Sequence, residues 1–422
     1  MATAIWSGNL DTGLQTGIAQ VQTIVITAAS SATTAVWTIT VTGQDGSTQT
    51  AAYTEDGSPT VAEIVTGLTA AWNDANHPFF TRVTAAESSS TTITFTADAA
   101  GEPFTLSLAD SSNGTHSDTM TTANLGKTDY NTAENWSTNA VPTASDDVII
   151  PAGAGLILWG LDQSGVSVNK FRVENGYTGQ IGGTDDGYLQ LLLDASSEVY
   201  IAGSGRKWID IAASNVDPVI EESASIATGQ FGLYLKATAM TDLYIRKGNV
   251  AFGIDPDDTT SECDVFHVSY VSSPSSDANL TIGAGVTDLA GSGDPDVTMV
   301  GGVVVSNADV DVLTMEVGSN TYTQAKGKWT TAHIRGGTAY PDRESGNSTF
   351  ATTNMSGGGK LNNTRTLTTK TFTNVNIYTN DVEIKDPNGN ITWSNAWDAP
   401  NIKTDKCVFD FGANKKIAIT NS

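Results

Sequence analysis

Residues 280–331 read LTIGAGVTDLAGSGDPDVTMVGGVVVSNADVDVLTMEVGSNTYTQAKGKWTT. Within them four triplets recur: Leu280-Thr281-Ile282, Val297-Thr298-Met299, Leu313-Thr314-Met315 and Trp329-Thr330-Thr331. Their starts, at 280, 297, 313 and 329, lie 17, 16 and 16 residues apart. Successive side chains of a strand point to opposite faces. The first three triplets therefore set two apolar residues on one face and a Thr on the other; the fourth carries Thr in its third place. Turn-forming residues follow at Gly283, Gly301 and Gly318-Ser319-Asn320, and further short apolar runs stand at Val286 and Val303-Val304-Val305. Short strands, tight turns and a fixed period predict a solenoid, in which stacked rungs cover the apolar faces that no single rung can bury. The competing arrangement is a β-sandwich with regular strand spacing.

Outward from this stretch, residues 146–422 read as a single-stranded β-helix. Earlier rungs are longer and less regular, at 166–173, 189–193, 199–201, 208–211, 231–235, 243–245 and 265–271. Later ones are expected at 371–377, 382–384, 391–393 and 408–411, with a last strand at Ile417-Ala418-Ile419 and no separate C-terminal domain.

Residues 1–20 are polar and Gly-spotted, an N-terminal arm or first strand with Trp6 as a docking candidate. Residues 21–110 predict a small α+β module, one helix on a sheet, in the order β-β-β-α-β-β-β. Gln44-Asp45-Gly46-Ser47 is a hairpin turn. Ser58 and Pro59 are the expected N-cap and first helical residue. Val61, Ile64, Val65, Leu68 and Trp72 share one helix face, which makes Trp72 core or, alternatively, a docking residue. Residues 111–145 form a polar connector and solenoid cap. There Trp136 is expected to plug the open end of the first rung, which otherwise exposes unpaired backbone and an apolar cross-section.

The chain of 422 residues carries a net charge of −25 with only 21 Lys and Arg, scattered throughout. Nucleic-acid binding needs a basic face, so that class is excluded, and no apolar run approaches the ~20 residues of a membrane span. The first residues lack the basic and apolar regions of a secretory leader. Cys263 and Cys407 stand too far apart to suggest a disulfide framework and read as small buried residues. The four isolated histidines show no zinc-ligand spacing. Calcium is the one metal to weigh, at Asp255-Pro256-Asp257-Asp258 and Asp294-Pro295-Asp296, with solvated turns as the default; neither has the Gly and terminal Glu of an EF-hand loop. Asp146-Asp147 is read as turn capping rather than a metal site. No cofactor is expected.

Two resemblances bear on identity. The segments WTITVTGQDGS (37–47), YTEDGSPTVAEIVTGLTAAWN (53–73) and TITFTADAAGEPFTLS (92–107) resemble a module of tailed-bacteriophage tail and particle-surface proteins. The pattern Asn135-Trp136-Ser137, Val141-Pro142, Asp146-Asp147-Val148 resembles the entry segment of secreted and phage β-solenoids. These resemblances imply a non-enzymatic structural protein at the virion surface, docked through its N-terminal module on the major capsid protein or tail proteins, and homotrimeric. The short β-helix leans towards a head decoration protein or head fibre over a tail fibre. The alternative is a tail fibre or tailspike that binds host glycan, with or without cutting it. A secreted bacterial adhesin is a further alternative, against which the missing leader counts.

No nucleophile elbow, metalloprotease helix or phosphate loop occurs, so no catalytic residue is named. Glycan cutting needs a pair of carboxylates across a groove; the early-rung candidates are Asp194, Glu198, Asp210, Glu221 and Glu222. Trp159, Tyr177, Tyr188, Trp208 and Tyr234 are candidates for a sugar platform or for core and subunit packing. Phe231, Leu233 and Leu235 are expected as an exposed stripe buried between subunits.

Overall fold

The structure is a computed structural model. It describes residues 2–8, 16–31, 34–44, 46–183, 187–212, 217–221, 230–255, 258, 260–268, 278–289, 291, 293–341, 348–365, 368–395, 397–400, 406–412 and 419–420. The chain is mainly β, and its dominant feature is a long parallel sheet system consistent with a solenoid. No helix among the described residues is long and apolar enough to cross a membrane.

The N-terminal module is built from two antiparallel sheets and a helix. One sheet has the order Val83–Ser89, Thr92–Ala97, Val21–Ala28, Thr115–Thr122; the other has the order Thr48–Thr54, Val36–Thr42, Thr105–Asp110. Thr115–Thr122 falls in the stretch assigned to the connector, yet it pairs along Val21–Ala28 and closes one edge of the module. Its run of polar residues disguises it: none of its eight positions is buried, so it lacks the alternating apolar face by which a strand is recognised.

The helix Val61–Asn73 buries Ile64, Val65, Leu68 and Trp72, the face expected from their spacing. Its N-cap is Thr60 rather than Ser58. Thr60 accepts from the Glu63 N–H at 3.3 Å, and Glu63 accepts from the Thr60 N–H at 2.9 Å. This reciprocal capping box satisfies two backbone donors, and Ser58 offers no equivalent. The helix ends before Pro78, which opens a short second helix, Pro78–Thr81.

From Asp147 onward the chain alternates between two ladders in which every pairing is parallel. The first ladder runs through Asp147–Ile150, the ends of Asp162–Val173 and Leu189–Ile201, Val219–Ile220, Met240–Ile245, Cys263–Val268, Asp296–Met299, Val310–Met315, Trp329–Ile334, Thr349–Met355 and Lys370–Ile377. The second runs through Lys207–Ala212, Leu233–Thr238, Gly248–Phe252, Ala278–Ile282, Val303–Ser306, Thr321–Gln324, Thr338–Tyr340, Lys360–Asn362, Glu383–Lys385 and Val408–Asp410. The buried faces of both ladders share one hydrophobic cluster. One register position in the first ladder reads Ile150, Val173, Ile201, Ile220, Ile245, Val268, Met299, Met315, Ile334, Met355, Ile377, all buried. Like apolar groups thus stack at the strand spacing of about 4.8 Å and exclude water along the whole ladder.

The 16-residue period is realised in only one step. Val297 does pair with Leu313. Leu280, however, lies in the second ladder and pairs with Val304, and Leu313 pairs with Ala332 rather than Trp329, which sits opposite Val310. Both ladders use the same in-out-in pattern, so a triplet does not reveal which ladder it belongs to. Loops of differing length then change the true repeat.

The first residues are part of this architecture and not a free arm. Thr3–Ile5 pairs in parallel with Asp147–Ile149 and covers the edge at which the first ladder would otherwise begin. The next residue, Trp6, meets Trp136 edge-on at 5.0 Å between ring centroids, and Tyr130 meets Trp136 at 4.7 Å. The indole N–H groups are satisfied, Trp6 by the Gly155 carbonyl at 3.0 Å and Trp136 by the Tyr130 carbonyl at 2.8 Å.

Candidate functional site

The three docking candidates are all interior. Trp6 and Trp136 plug the end of the first ladder, and Trp72 lies in the module core between Phe80 and Phe95, donating its indole N–H to the Val83 carbonyl at 2.8 Å. None presents a ring to solvent, because each completes an apolar cross-section that the backbone alone leaves open. The proposed subunit stripe fares similarly. Leu233 and Leu235 point into the core, and the half-buried Phe231 packs on Tyr234 at 5.5 Å.

The surface richest in chemical groups is the outward face of the first ladder over its early rungs. In register, one outward position reads Arg172, Tyr200, Val219, Tyr244, His267. Each faces solvent because its neighbours on either side in the strand face the core. The Arg172 guanidinium lies 4.3 Å from the centre of the Tyr200 ring, and the Tyr200 hydroxyl donates to Glu221 at 2.8 Å. Arg246 reaches the same Glu221 at 3.2 Å. Tyr244 stacks on His267 at 4.4 Å with the rings 6° from parallel, and a 2.7 Å hydrogen bond joins His267 Nε2 to Asp242. Burial holds the Asp217 carboxyl above its usual range; the Asp242 charge adds to this, while the Asp242 N–H and His267 oppose it. Burial also raises Tyr200, with its bond to Glu221 acting the same way.

A second polar cluster sits on the other ladder. Lys236 pairs with Asp255 at 2.9 Å, lies over Tyr188 at 4.5 Å and is the register partner of Asp210. Burial raises Asp210, Lys236 lowers it and Asp258 raises it again. Trp208 and Tyr234 stack at 4.9 Å with Arg206 at 4.6 Å over the indole, but Trp208 is almost wholly covered and offers no sugar-binding face. Tyr177 is likewise buried, its hydroxyl donating to the Gly155 and Gln180 carbonyls.

The carboxylates weighed for glycan cutting are engaged one by one. Asp194 accepts from the Ser167 hydroxyl, Glu198 is bound by Lys170 and Arg172, and Glu221 is bound by Tyr200 and Arg246. Asp210 neighbours Lys236, and Glu222 lies outside the described residues. Of the calcium candidates, Asp258 accepts from the Thr260 and Ser261 N–H groups of its own turn, Asp255 pairs with Lys236, and Asp296 accepts from the Val312 N–H of the adjacent strand at 3.0 Å. Asp257 lies outside the described residues. Asp146 accepts from the N–H groups of Ala2 at 2.7 Å and Thr143 at 3.0 Å; the Ala2 bond is the larger cause of its lowered pKa. Among the described residues no three His, Cys, Asp or Glu side chains are grouped to hold a metal.

Sequence reasoning missed the junction between the module and the first ladder. There Gln44 donates to the Leu158 carbonyl at 2.9 Å and accepts from the Leu161 N–H at 3.2 Å. Arg82 lies 5.5 Å from the Trp159 ring, and the two border a small cleft with Val41, Phe79 and Phe104. Gln44 stands in the Asp-Gly turn, and nothing local marks a turn residue as a contact across domains.

Comparison of the chain with family models, with curated proteins and with solved structures finds no match in any of the three.

Proposed function

We propose that the protein is a non-enzymatic structural component of a tailed-bacteriophage particle. In this reading the two parallel ladders are the walls of a closed single-stranded β-helix that projects from the particle or clamps its neighbours. The N-terminal module meets the major capsid protein or a tail protein, and the chain assembles as a homotrimer. The observation that carries the non-enzymatic part is the state of the early-rung carboxylates. A hydrolase keeps one carboxylate as acid and its partner as nucleophile or base, facing each other across a groove. Here Glu198 and Glu221 are each tied to cations and Asp194 to a hydroxyl. The net charge of −25 suits a surface that must adhere neither to itself nor to DNA.

Immunogold labelling of intact particles with antibody to this chain tests the reading. Label over the capsid supports a decoration or head-fibre role; label at the tail tip moves the role to host recognition; absence of label from purified particles overturns it. For the trimer, sedimentation at micromolar concentration is decisive, since a monomer mass removes that part.

A second reading rests on the half-buried, outward-facing Tyr244–His267 stack with Asp242 bonded to His267. Flat rings with a carboxylate bonded at their edge suit a sugar ring, which offers an apolar face and hydroxyls at its rim. Glycan-array binding that is lost in Tyr244→Ala, with no release of shorter sugars, would favour recognition without cutting.

A further inference from the structure

Among the described residues, the polar side chains that lie in the two-ladder region with no exposure include Asn363, Lys370 and Asp386, close together near its C-terminal end. Leu361 and Asn363 face the interior at the end of one strand of the second ladder, with Asn362 between them half-exposed. Lys370 opens Lys370–Ile377 on its buried face, together with Phe372. Asn363 and Lys370 therefore face the same interior from the two sides of the loop that joins them.

Asp386 belongs to the next rung and stands beside Asn363. Leu361 pairs with Ile384 and Asn362 with Lys385, and the Asn363 N–H donates to the Lys385 carbonyl at 2.8 Å. Asn363 Nδ2 donates to Asp386 Oδ1 at 2.9 Å. Across the corner, Lys370 is the register partner of Ile391 and donates its N–H to the Asn390 carbonyl at 2.8 Å. The N–H groups of Asn390 and Ile391 each donate to Asp386 at 2.9 Å. One carboxylate thus spans the Asn363 carboxamide and the backbone against which Lys370 is paired. The Asn363 Oδ1 atom is buried with no hydrogen-bond partner. Burying an ammonium group is costly even when it is paired, and a lysine, a carboxamide and a carboxyl group with no exposure to solvent have the makings of an acyl transfer.

We propose that Lys370 and Asn363 are joined, after folding, by an isopeptide bond whose formation Asp386 assists as general acid and base. The Lys370 ammonium passes a proton to the Asp386 carboxylate. The neutral Nζ attacks Cγ of Asn363, forming the new C–N bond, and the carbonyl electron pair moves to Oδ1. Asp386 gives its proton to Nδ2 and takes one from the attacking nitrogen. The Cγ–Nδ2 bond then breaks and the carbonyl reforms. Ammonia leaves, taking up the remaining proton from Asp386. Amine and carboxamide become a secondary amide and ammonia, with no oxidant or co-reactant. Positioning supplies much of the rate, as in other intramolecular reactions. The surrounding Leu361, Phe372, Ile384 and Ile391, all buried, keep out the water that would compete.

The test is mass spectrometry of the full-length, denatured wild-type chain. Once initiator-methionine processing is accounted for, its mass is expected to fall one ammonia below that of the sequence. Trypsin, which cuts after Arg365 but not after an acylated lysine, should then release a branched peptide joining the Asn363 and Lys370 segments. Lys370→Arg and Asp386→Ala are each expected to restore the full mass. A wild-type chain at full mass, with Asn363 and Lys370 in separate linear peptides, overturns the proposal. So does an ammonia loss that maps to another asparagine. A cross-link that persists in Asp386→Ala removes the proton-relay role. The wild-type measurement is decisive even if a variant does not fold.

Discussion

Where ladders turn, a single atom decides whether two strands can stack. A Cβ on Gly283 would lie 1.6 Å from the Gly253 carbonyl oxygen. That neighbour is backbone and cannot swing aside, so Gly283→Ala must displace a rung. A loss of about 1–3 kcal/mol, the usual range for overpacking, is expected from urea denaturation; an unchanged midpoint would mean the corner is looser than the geometry states. Charge at residue level gives a pH prediction with a definite sign. Asp210 is held above its ordinary value chiefly by burial. A raised carboxyl binds more protons folded than unfolded, so its contribution to stability is largest below the unfolded value and is lost as pH rises through the folded one. Asp210→Asn should therefore gain on wild type as pH rises through that window, and match it where both carboxyls are protonated. Denaturation midpoints across that pH range check this. The sequence marks Asp210 as an early-rung acid, but its raised pKa depends on burial in the fold and on the charges of Lys236 and Asp258, which come from elsewhere in the chain, and so is not legible from its own strand.

Local period and chemistry made the elements legible; pairing did not follow from them. The helix face from Ile64 to Trp72 was readable because 3.6-residue spacing is a local property. The cap was misplaced by two residues because Ser58-Pro59 and Thr60 with Glu63 are both good starts, and only the reciprocal bonds decide between them. Thr60→Ala should cost about 1 kcal/mol, read as a lower melting temperature of the module; no change would assign the helix start to Ser58 after all. In the ladders, the alternation at Leu313-Thr314-Met315 gave the facing correctly, with Leu313 and Met315 in and Thr314 out. The neighbours of that strand depend on loop lengths, which no triplet encodes. The acid, aromatic and histidine surface was legible only in part for the same reason: Arg172, Tyr200, Tyr244 and His267 are far apart in sequence and become one stripe only through registry.

At the scale of the whole molecule the N-terminal module is an insertion between two adjacent strands of one ladder. Thr3–Ile5 lies in parallel register against Asp147–Ile149, so the connection between them crosses from one end of the pair to the other, and the module branches off along that crossover. The neck is visible where Ile18 and Leu125 exchange backbone hydrogen bonds, Ile18 N–H to the Leu125 carbonyl at 2.8 Å and the reverse at 3.1 Å. Two segments that meet side by side can be joined by a short turn without moving either. Replacing residues 19–124 with a short Gly-Ser linker should therefore leave the parallel ladders folded. What is given up is mainly the Gln44 bonds to Leu158 and Leu161 and the Arg82–Trp159 contact. Removing residues 2–8 should do the opposite. It uncovers the first parallel edge and withdraws Trp6 from its place against Trp136, and loss of a buried Trp side chain alone costs about 3–5 kcal/mol. Circular dichroism melts separate the two architectures. If the ladders form a unit closed by the N-terminal strand, the chain without its module melts near the wild-type ladder transition, and the chain without residues 2–8 melts well below it or aggregates. The reverse order would make the module the nucleus on which the ladders depend.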